Sequence, residues 1–319
     1  MDELVSICIP TYNGENHLKA SIKSAINQTH ANIEILIVDD QSTDLTVSII
    51  HDFMERDNRI RLVENEKNLG LVGNWNKCIS FAKGNWVKLH FQDDLMVNDT
   101  IEKMLTLAKQ QNVEFVLSDR EYFFEDGMDS DYYEKLQRLS NHFESASVIQ
   151  PKDLAELFSK LSIEHNFIGE PILGLFNKSV LDTCGKFEEK MFQLVDFEFW
   201  FRLMSNIETG FIAEKLHQFR VHSKSQGAKN MGREGINVSD LDMVLMAHKI
   251  CTDSNYEKLR NFIGPQNVMA LLSPLVESKL EKNGWFRMKK KIGSEVLKYF
   301  NPPLKVKIKA LKKDVSMYF

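Results

Sequence analysis

Trp86-Val87-Lys88-Leu89-His90-Phe91-Gln92-Asp93-Asp94 is the stretch on which the fold turns. Its first six residues read as a buried strand, and the strand gives way directly to two adjacent carboxylates. Two like charges side by side disfavour each other's ionisation unless something neutralises them. A hard divalent cation does so, because Mg²⁺ and Mn²⁺ take carboxylate oxygens and share them with substrate phosphates. Open α/β sheets place their ligands at the carboxyl ends of the strands. The stretch therefore predicts a strand of such a sheet, ending in a metal-bound, phosphate-bearing ligand. A solvated turn carrying two acids is the plainer alternative.

Working outward, the pattern recurs. Residues 4–9 form a β-rich run closed by Pro10, and residues 33–38 form another that ends in Asp39 and Asp40. Residues 60–63 and 115–118 read as further strands. Between them lie helices: one with Leu18, Ile22, Ala25 and Ile26 at helical spacing, and one capped by Ser42 or Thr43 with Asp44 favouring its start. A third runs from the loop at 65–70 to about Lys83, and a fourth from about Asp99 to Gln110. This alternation predicts βαβ units, an α/β fold and a mainly parallel sheet with helices on its faces. No G-x-G-x-x-G follows the first strand and no G-x-x-x-x-G-K-[ST] occurs, which argues against dinucleotide and P-loop sites.

The second half is less regular. Residues 119–150 are acidic and aromatic and read as an irregular surface segment or flap. Residues 166–176 hold a turn feeding a strand, and a strongly apolar helix opens with Asp196 at or near its cap. From about residue 239 the pattern is helical, and Pro302-Pro303 punctuates a basic end.

With 319 residues, 43% hydrophobic and 27% charged, the chain is an ordinary globular sequence. Cys8, Cys78, Cys184 and Cys251 are far apart and read as buried hydrophobes in a reducing compartment. The sequence shows neither a signal-peptide pattern nor a run of about 18 apolar residues, so a cytoplasmic location is expected. The net charge of −5 is uneven: residues 231–319 carry 16 Lys and Arg against 9 Asp and Glu, whereas the remainder is net −12. A basic end on an acidic body predicts an anionic partner for that end, and no nucleic-acid partner is expected.

Five segments, in order, resemble the family 2 glycosyltransferases over roughly residues 4–225. Residues 5–13 look like the family's opening strand and nucleotide loop, and residues 37–44 like its D-D-x-S-x-D turn. Asn68-Leu69-Gly70 with Asn74 and Asn76 is similar to its N-x-G segment. Gln92-Asp93-Asp94 matches its D-x-D position in x-D-D form, and Asp196 with the following Phe-Trp-Phe-Arg helix resembles its E-D-x-x-x-W-x-R segment. The resemblance implies a GT-A fold over residues 1–230, with a nucleotide-sugar half at 1–118 and an acceptor half at 119–230. Residues 231–319 would be a helical, basic extension.

The resemblance also implies roles. Pro10, Thr11, Tyr12, Asn13, Asp40, Asn68, Gly70, Asn76, Gln92 and Asp93 would bind the nucleotide, with Tyr12 on the base and Asp40 accepting from uracil N3–H. Asp93, Asp94 and His222 would hold Mn²⁺ or Mg²⁺, and Glu170 and Trp200 would line the acceptor cleft. Asp196 would be the general base of an inverting transfer from a UDP-linked sugar to a carbohydrate or lipid-linked acceptor in surface-glycan assembly. Val195 stands where the family often has Glu, and Glu198 is the alternative base.

Each role has a plainer counterpart: a core aromatic for Tyr12, a helix-surface amide for Asn76, a polar core residue for His222, a turn carboxylate for Glu170. The basic, glycine-containing run from His222 to Arg233 looks like a phosphate-facing lid. Residues 282–313, with eleven Lys and Arg and interleaved aromatics, suit an anionic membrane surface or packing on the domain or on another copy. Two other functions compete with transfer. A sugar-1-phosphate nucleotidyltransferase would want a basic, Gly-rich loop after the first strand, which Thr11-Tyr12-Asn13 does not supply. A non-catalytic nucleotide-sugar-binding module would not need Asp93, Asp94 and Asp196 together.

Overall fold

A computed structural model describes residues 3–125, 130, 133, 135–223 and 237–284. In chain order the elements are β1 (Val5–Thr11), α1 (Leu18–Ile26), β2 (Ile33–Asp39), α2 (Thr46–Met54), β3 (Ile60–Glu64), α3 (Gly70–Phe81), β4 (Trp86–Leu89), β5 (Leu95–Met96), α4 (Thr100–Gln111) and β6 (Phe115–Phe124). They continue with β7 (Ser147–Ile149), α5 (Pro151–Leu161), β8 (Gly174–Asn177), α6 (Val180–Cys184), α7 (Val195–Asn206), β9 (Thr209–Val221), α8 (Val238–Thr252), α9 (Glu257–Ile263) and α10 (Pro265–Asn283).

The strands form one sheet in the order β3-β2-β1-β4-β8-β6-β9-β5, with β7 on β9. β3, β2, β1 and β4 are mutually parallel, as the alternation predicts. β8 enters antiparallel between β4 and β6, and β6 returns parallel to β9. β2 and β4 lie on opposite sides of β1, the arrangement in which open α/β sheets form a ligand crevice at the carboxyl ends of their strands, where the acidic pairs sit.

Both faces of the sheet are covered, which explains why its central strands read as continuous apolar runs rather than alternating ones. Alternation survives in which face each residue meets. Val5, Ile7, Ile9, Ile35 and Ile37 join α1, α2 and α4 in one core cluster, while Cys8, Leu36 and Val38 face α3 in the other. The second cluster continues without a break through Phe197–Phe201 of α7 into Leu241, Val244, Leu272 and Val276. The helices after residue 237 thus share their core with the sheet.

Two local expectations are corrected. Residues 119–124 are not an irregular flap but the second half of β6, with Asp119 and Arg120 buried, because β9 supplies a parallel partner for that half. The start of α2 is steadied by neither Ser42 nor Thr43. Asp44 accepts from Thr46 N–H at 3.0 Å, while Ser42 donates to Asp39 and accepts from Asn13 N–H. Among the described residues no helix is long and apolar enough to cross a membrane. The expected lid falls mainly on residues 224–236 and the basic segment mainly beyond residue 284, both outside the described residues.

Candidate active site

The crevice is built from loop ends. After β1, Tyr12 is 47% exposed while its backbone is pinned: its N–H donates to Gln92 Oε1 at 2.9 Å, and Gln92 Nε2 donates to its carbonyl at 3.3 Å. Gly14 permits this closeness, since a Cβ there would stand 2.4 Å from Gln92 Oε1. Asn13 takes a left-handed φ of 48° and accepts from Thr43 N–H. Pro10 and Thr11 belong to β1 itself, and the Thr11 hydroxyl donates to Asp39.

Asp40 is enclosed. Its carboxylate accepts from the N–H groups of Leu69 at 2.7 Å and Gly70 at 2.9 Å, and from the Asn65 amide at 2.7 Å. Asn68 donates to the Asp40 carbonyl and accepts from Gly70 N–H, whose φ of +75° suits glycine. These residues clamp the loop entering α3. Only 2% of Asp40 remains exposed. Both ends of the Asn76 amide bond the backbone of Phe187, at 3.1 Å each.

At the end of β4 the two carboxylates part. Asp94 is buried, and Asp93 remains partly open. Burial first, then the charge of Asp93, holds the Asp94 carboxyl well above its ordinary range, against an opposing N–H from Arg220 that donates to Oδ1 at 2.9 Å. Its Oδ2 has no hydrogen-bond partner among the described residues. His222 Nε2 stands 2.9 Å from Asp93 Oδ2. An orphaned buried carboxylate oxygen beside a second carboxylate and an imidazole is a donor set that fits a divalent cation, and Asp94, Asp93 and His222 are the residues that would hold it.

Beneath the pair, Lys88 is fully buried and donates to the carbonyls of Ile172 and Gly174. Burial drives its pKa well below the usual value, opposed by Asp94. His90 is pushed down to about 3 by burial and by Lys88, so it stays neutral.

Asp196 lies in the first turn of α7, near the Leu194 cap, as the sequence predicts. Burial lifts its carboxyl to about 7, against the Phe197 N–H that donates to it at 2.8 Å; Glu170 adds to the rise and Arg120 offsets it. Glu170 also raises Asp94, so its charge is felt at both centres. Glu170 itself accepts from Tyr122 Oη at 2.7 Å and pairs with Arg120 Nε at 2.7 Å. Glu198, the alternative base, is sealed in the core on Arg202. Trp200 is corrected too: it lines no cleft but is fully enclosed, stacked on Phe115 at 5.0 Å between ring centroids. A Cβ at Gly174 would meet the Trp200 ring at 2.5 Å.

Several working residues escaped the sequence reading. Arg220 donates Nε–H to the Asp93 carbonyl at 2.9 Å, and alternation along β9 could have paired it with His222 on one face. Asp242 of α8 accepts the N–H groups of Phe192, Gln193 and Leu194 at 2.9, 2.5 and 2.8 Å, fixing the approach to α7. No local signal links it to residue 196. Asp242→Ala strands these donors and is expected to lower stability by about 1–3 kcal/mol, read as a shift in the urea midpoint.

The family described as Glycosyl transferase family 2 matches residues 6–168, more than half of the chain. The chain belongs to that family. Among relatives, the Escherichia coli UDP-Glc:alpha-D-GlcNAc-diphosphoundecaprenol beta-1,3-glucosyltransferase WfgD is 35% identical over 120 residues, 38% of this chain and 47% of WfgD. The chain thus spans less than half of that glycosyltransferase. S. aureus TarS 1–349 in complex with UDP-GlcNAc superposes with a TM-score of 0.63 at 15% identity, covering 88% of this chain and 82% of that one. The mannosyltransferase PcManGT from Pyrobaculum calidifontis, in complex with GDP-Man and Mn²⁺, gives 0.60 at 15% identity over 96% and 80%. The α/β architecture is the GT-A fold of these glycosyltransferases, and family membership favours sugar transfer over nucleotidyl transfer.

Proposed function

We propose that this chain is an inverting, metal-dependent glycosyltransferase. It would move a sugar from a UDP-linked donor to a hydroxyl of a carbohydrate or lipid-linked acceptor in surface-glycan assembly. The observation that carries this is two carboxyls, raised in different settings and both feeling the charge of Glu170: Asp94, with an unpartnered oxygen, and Asp196. Asp94 offers an oxygen to a cation, and Asp196 offers a base near neutral pH, so the two settings suit separate tasks.

When bound at Asp94, Asp93 and His222, a divalent cation would neutralise the diphosphate leaving group. Tyr12, presented at the mouth of the crevice, offers a face for the base. The Asp196 carboxylate takes the proton of the acceptor hydroxyl as that oxygen bonds to the sugar C1. The bond from C1 to the diphosphate oxygen breaks on the opposite side, giving inversion. A base with a pKa of about 7 is matched to this step near neutral pH. UDP is preferred as donor nucleotide because WfgD acts with UDP-Glc and TarS is complexed with UDP-GlcNAc, although PcManGT carries GDP-Man.

The test is calorimetric titration of UDP and GDP, with and without Mn²⁺, into wild type and Asp94→Ala. Mn²⁺ is expected to tighten UDP binding in wild type by at least about tenfold, and the Ala variant to lose that gain. Absence of binding by either nucleotide would overturn the proposal.

A further inference from the structure

We propose that His17, Glu125 and His222 form a second cation site, one that takes zinc rather than the hard cation expected at Asp93 and Asp94. One ligand atom from each residue lies within 4.8 Å of the others. His17 Nε2 is 3.2 Å from Glu125 Oε1, and the rings of His17 and His222 meet edge-on with centroids 5.1 Å apart. Donor atoms on a tetrahedral zinc stand roughly 3–3.5 Å apart, given bonds near 2.0–2.2 Å. The His17–Glu125 edge already has that length, and rotation of side chains closes the remainder.

The three residues come from separate elements whose ends converge. His17 opens α1 and is held by its N–H to the Gly14 carbonyl at 3.1 Å. Glu125 follows β6 and His222 follows β9. These strands stay paired to their last residues, Phe124 opposite Val221, and Glu125 N–H donates to the Val221 carbonyl at 3.0 Å. Side-chain exposures of 24% for His17 and 37% for Glu125 leave a path from solvent, whereas His222 at 8% forms the floor.

The donor set selects the metal. Two imidazoles and one carboxylate, with a fourth position open, make up a set that zinc takes readily. Imidazole favours borderline transition metals over Mg²⁺. Asp93, 2.9 Å from His222 Nε2, supplies the carboxylate brace found behind metal-binding histidines. One charge opposes the ion: Arg220 Nη1 lies 3.7 Å from the same Glu125 oxygen. Zinc must displace that contact, which weakens the site and ties its occupancy to the zinc concentration. Zinc here also engages His222, which is then lost as a ligand to a cation at Asp93 and Asp94. It would then act against the catalytic cation, a consequence that rests on the proposed function, whereas zinc binding itself does not.

The experiment is titration of ZnCl₂ into the nucleotide-free full chain near neutral pH. Wild type is expected to bind one zinc ion, with affinity weakened at least about tenfold in His17→Ala and in Glu125→Gln. Glu125→His, which keeps a ligand, and Asp94→Ala should retain it. Circular dichroism of each variant separates a lost ligand from a lost fold. No zinc binding by wild type, unchanged affinity in both folded His17 and Glu125 variants, or loss confined to Asp94→Ala would each overturn the proposal. The last outcome would place zinc at the catalytic pair instead.

Discussion

Replacing Asp196 with Asn is expected to lower the transfer rate by about 10²–10⁴-fold while leaving UDP binding unchanged. The amide keeps the shape of the side chain, so the turn of α7 and its bond from Phe197 N–H persist, but it cannot accept the acceptor's proton. The wild-type pH profile follows from the same residue. Burial raises the carboxyl to about 7, so below that pH the group is protonated and cannot serve as base. The rate should climb as pH rises through about 7 and then level off. The residual activity of the Asn variant should not show that rise. Initial-rate assays of UDP release across pH check both, and a variant that turns over at the wild-type rate would remove Asp196 from this role.

The second large effect is on stability. Glu198→Ala is expected to cost about 3–5 kcal/mol, seen as a lower urea midpoint, because it strands a buried cation. Arg202 is only 3% exposed; its Nε and Nη2 each donate to Glu198 at 2.8 Å. Tyr256 Oη donates to the same carboxylate at 2.9 Å, and Lys249 approaches it at 3.3 Å. Replacing Glu198 and Arg202 together by apolar residues of similar volume should cost much less than either single change. The two acids of α7 thus divide sharply. Positions two apart on a helix point in nearly opposite directions, so Asp196 stays partly exposed while Glu198 is locked into the core.

That division marks the boundary of what the sequence makes legible. The parallel strands β1 to β4 are plain in it, because strands covered on both faces must be apolar throughout. The adjacent acids after β2 and β4 stand out against that background. Identical pairs nevertheless have different fates: Asp39 and Asp40 turn inward to clamp loops, whereas Asp93 faces the crevice. Nothing in residues 39–40 announces that Leu69 and Gly70 will bring their N–H groups. Trp200 is similar, since its enclosure depends on the missing side chain of Gly174, distant in the chain. Arg120 and Tyr122 were hidden because a charged, aromatic stretch looks like surface until a parallel partner, β9, is known to cover it.

The reach of β9 also sets a timetable. Asp94 receives the Arg220 N–H from 126 residues further along, and Asp93 meets His222 from 129 residues away. These contacts cannot form until β9 has been made, whereas β1, β2 and β4 can pair before it. At ribosomal speeds of about 5–20 residues per second, roughly 6–25 s pass between the synthesis of Asp94 and that of Arg220. Throughout that interval the nascent chain carries both acids without the arginine or the histidine that complete their surroundings, so the environment of Asp93 and Asp94 is assembled only once β9 has been made.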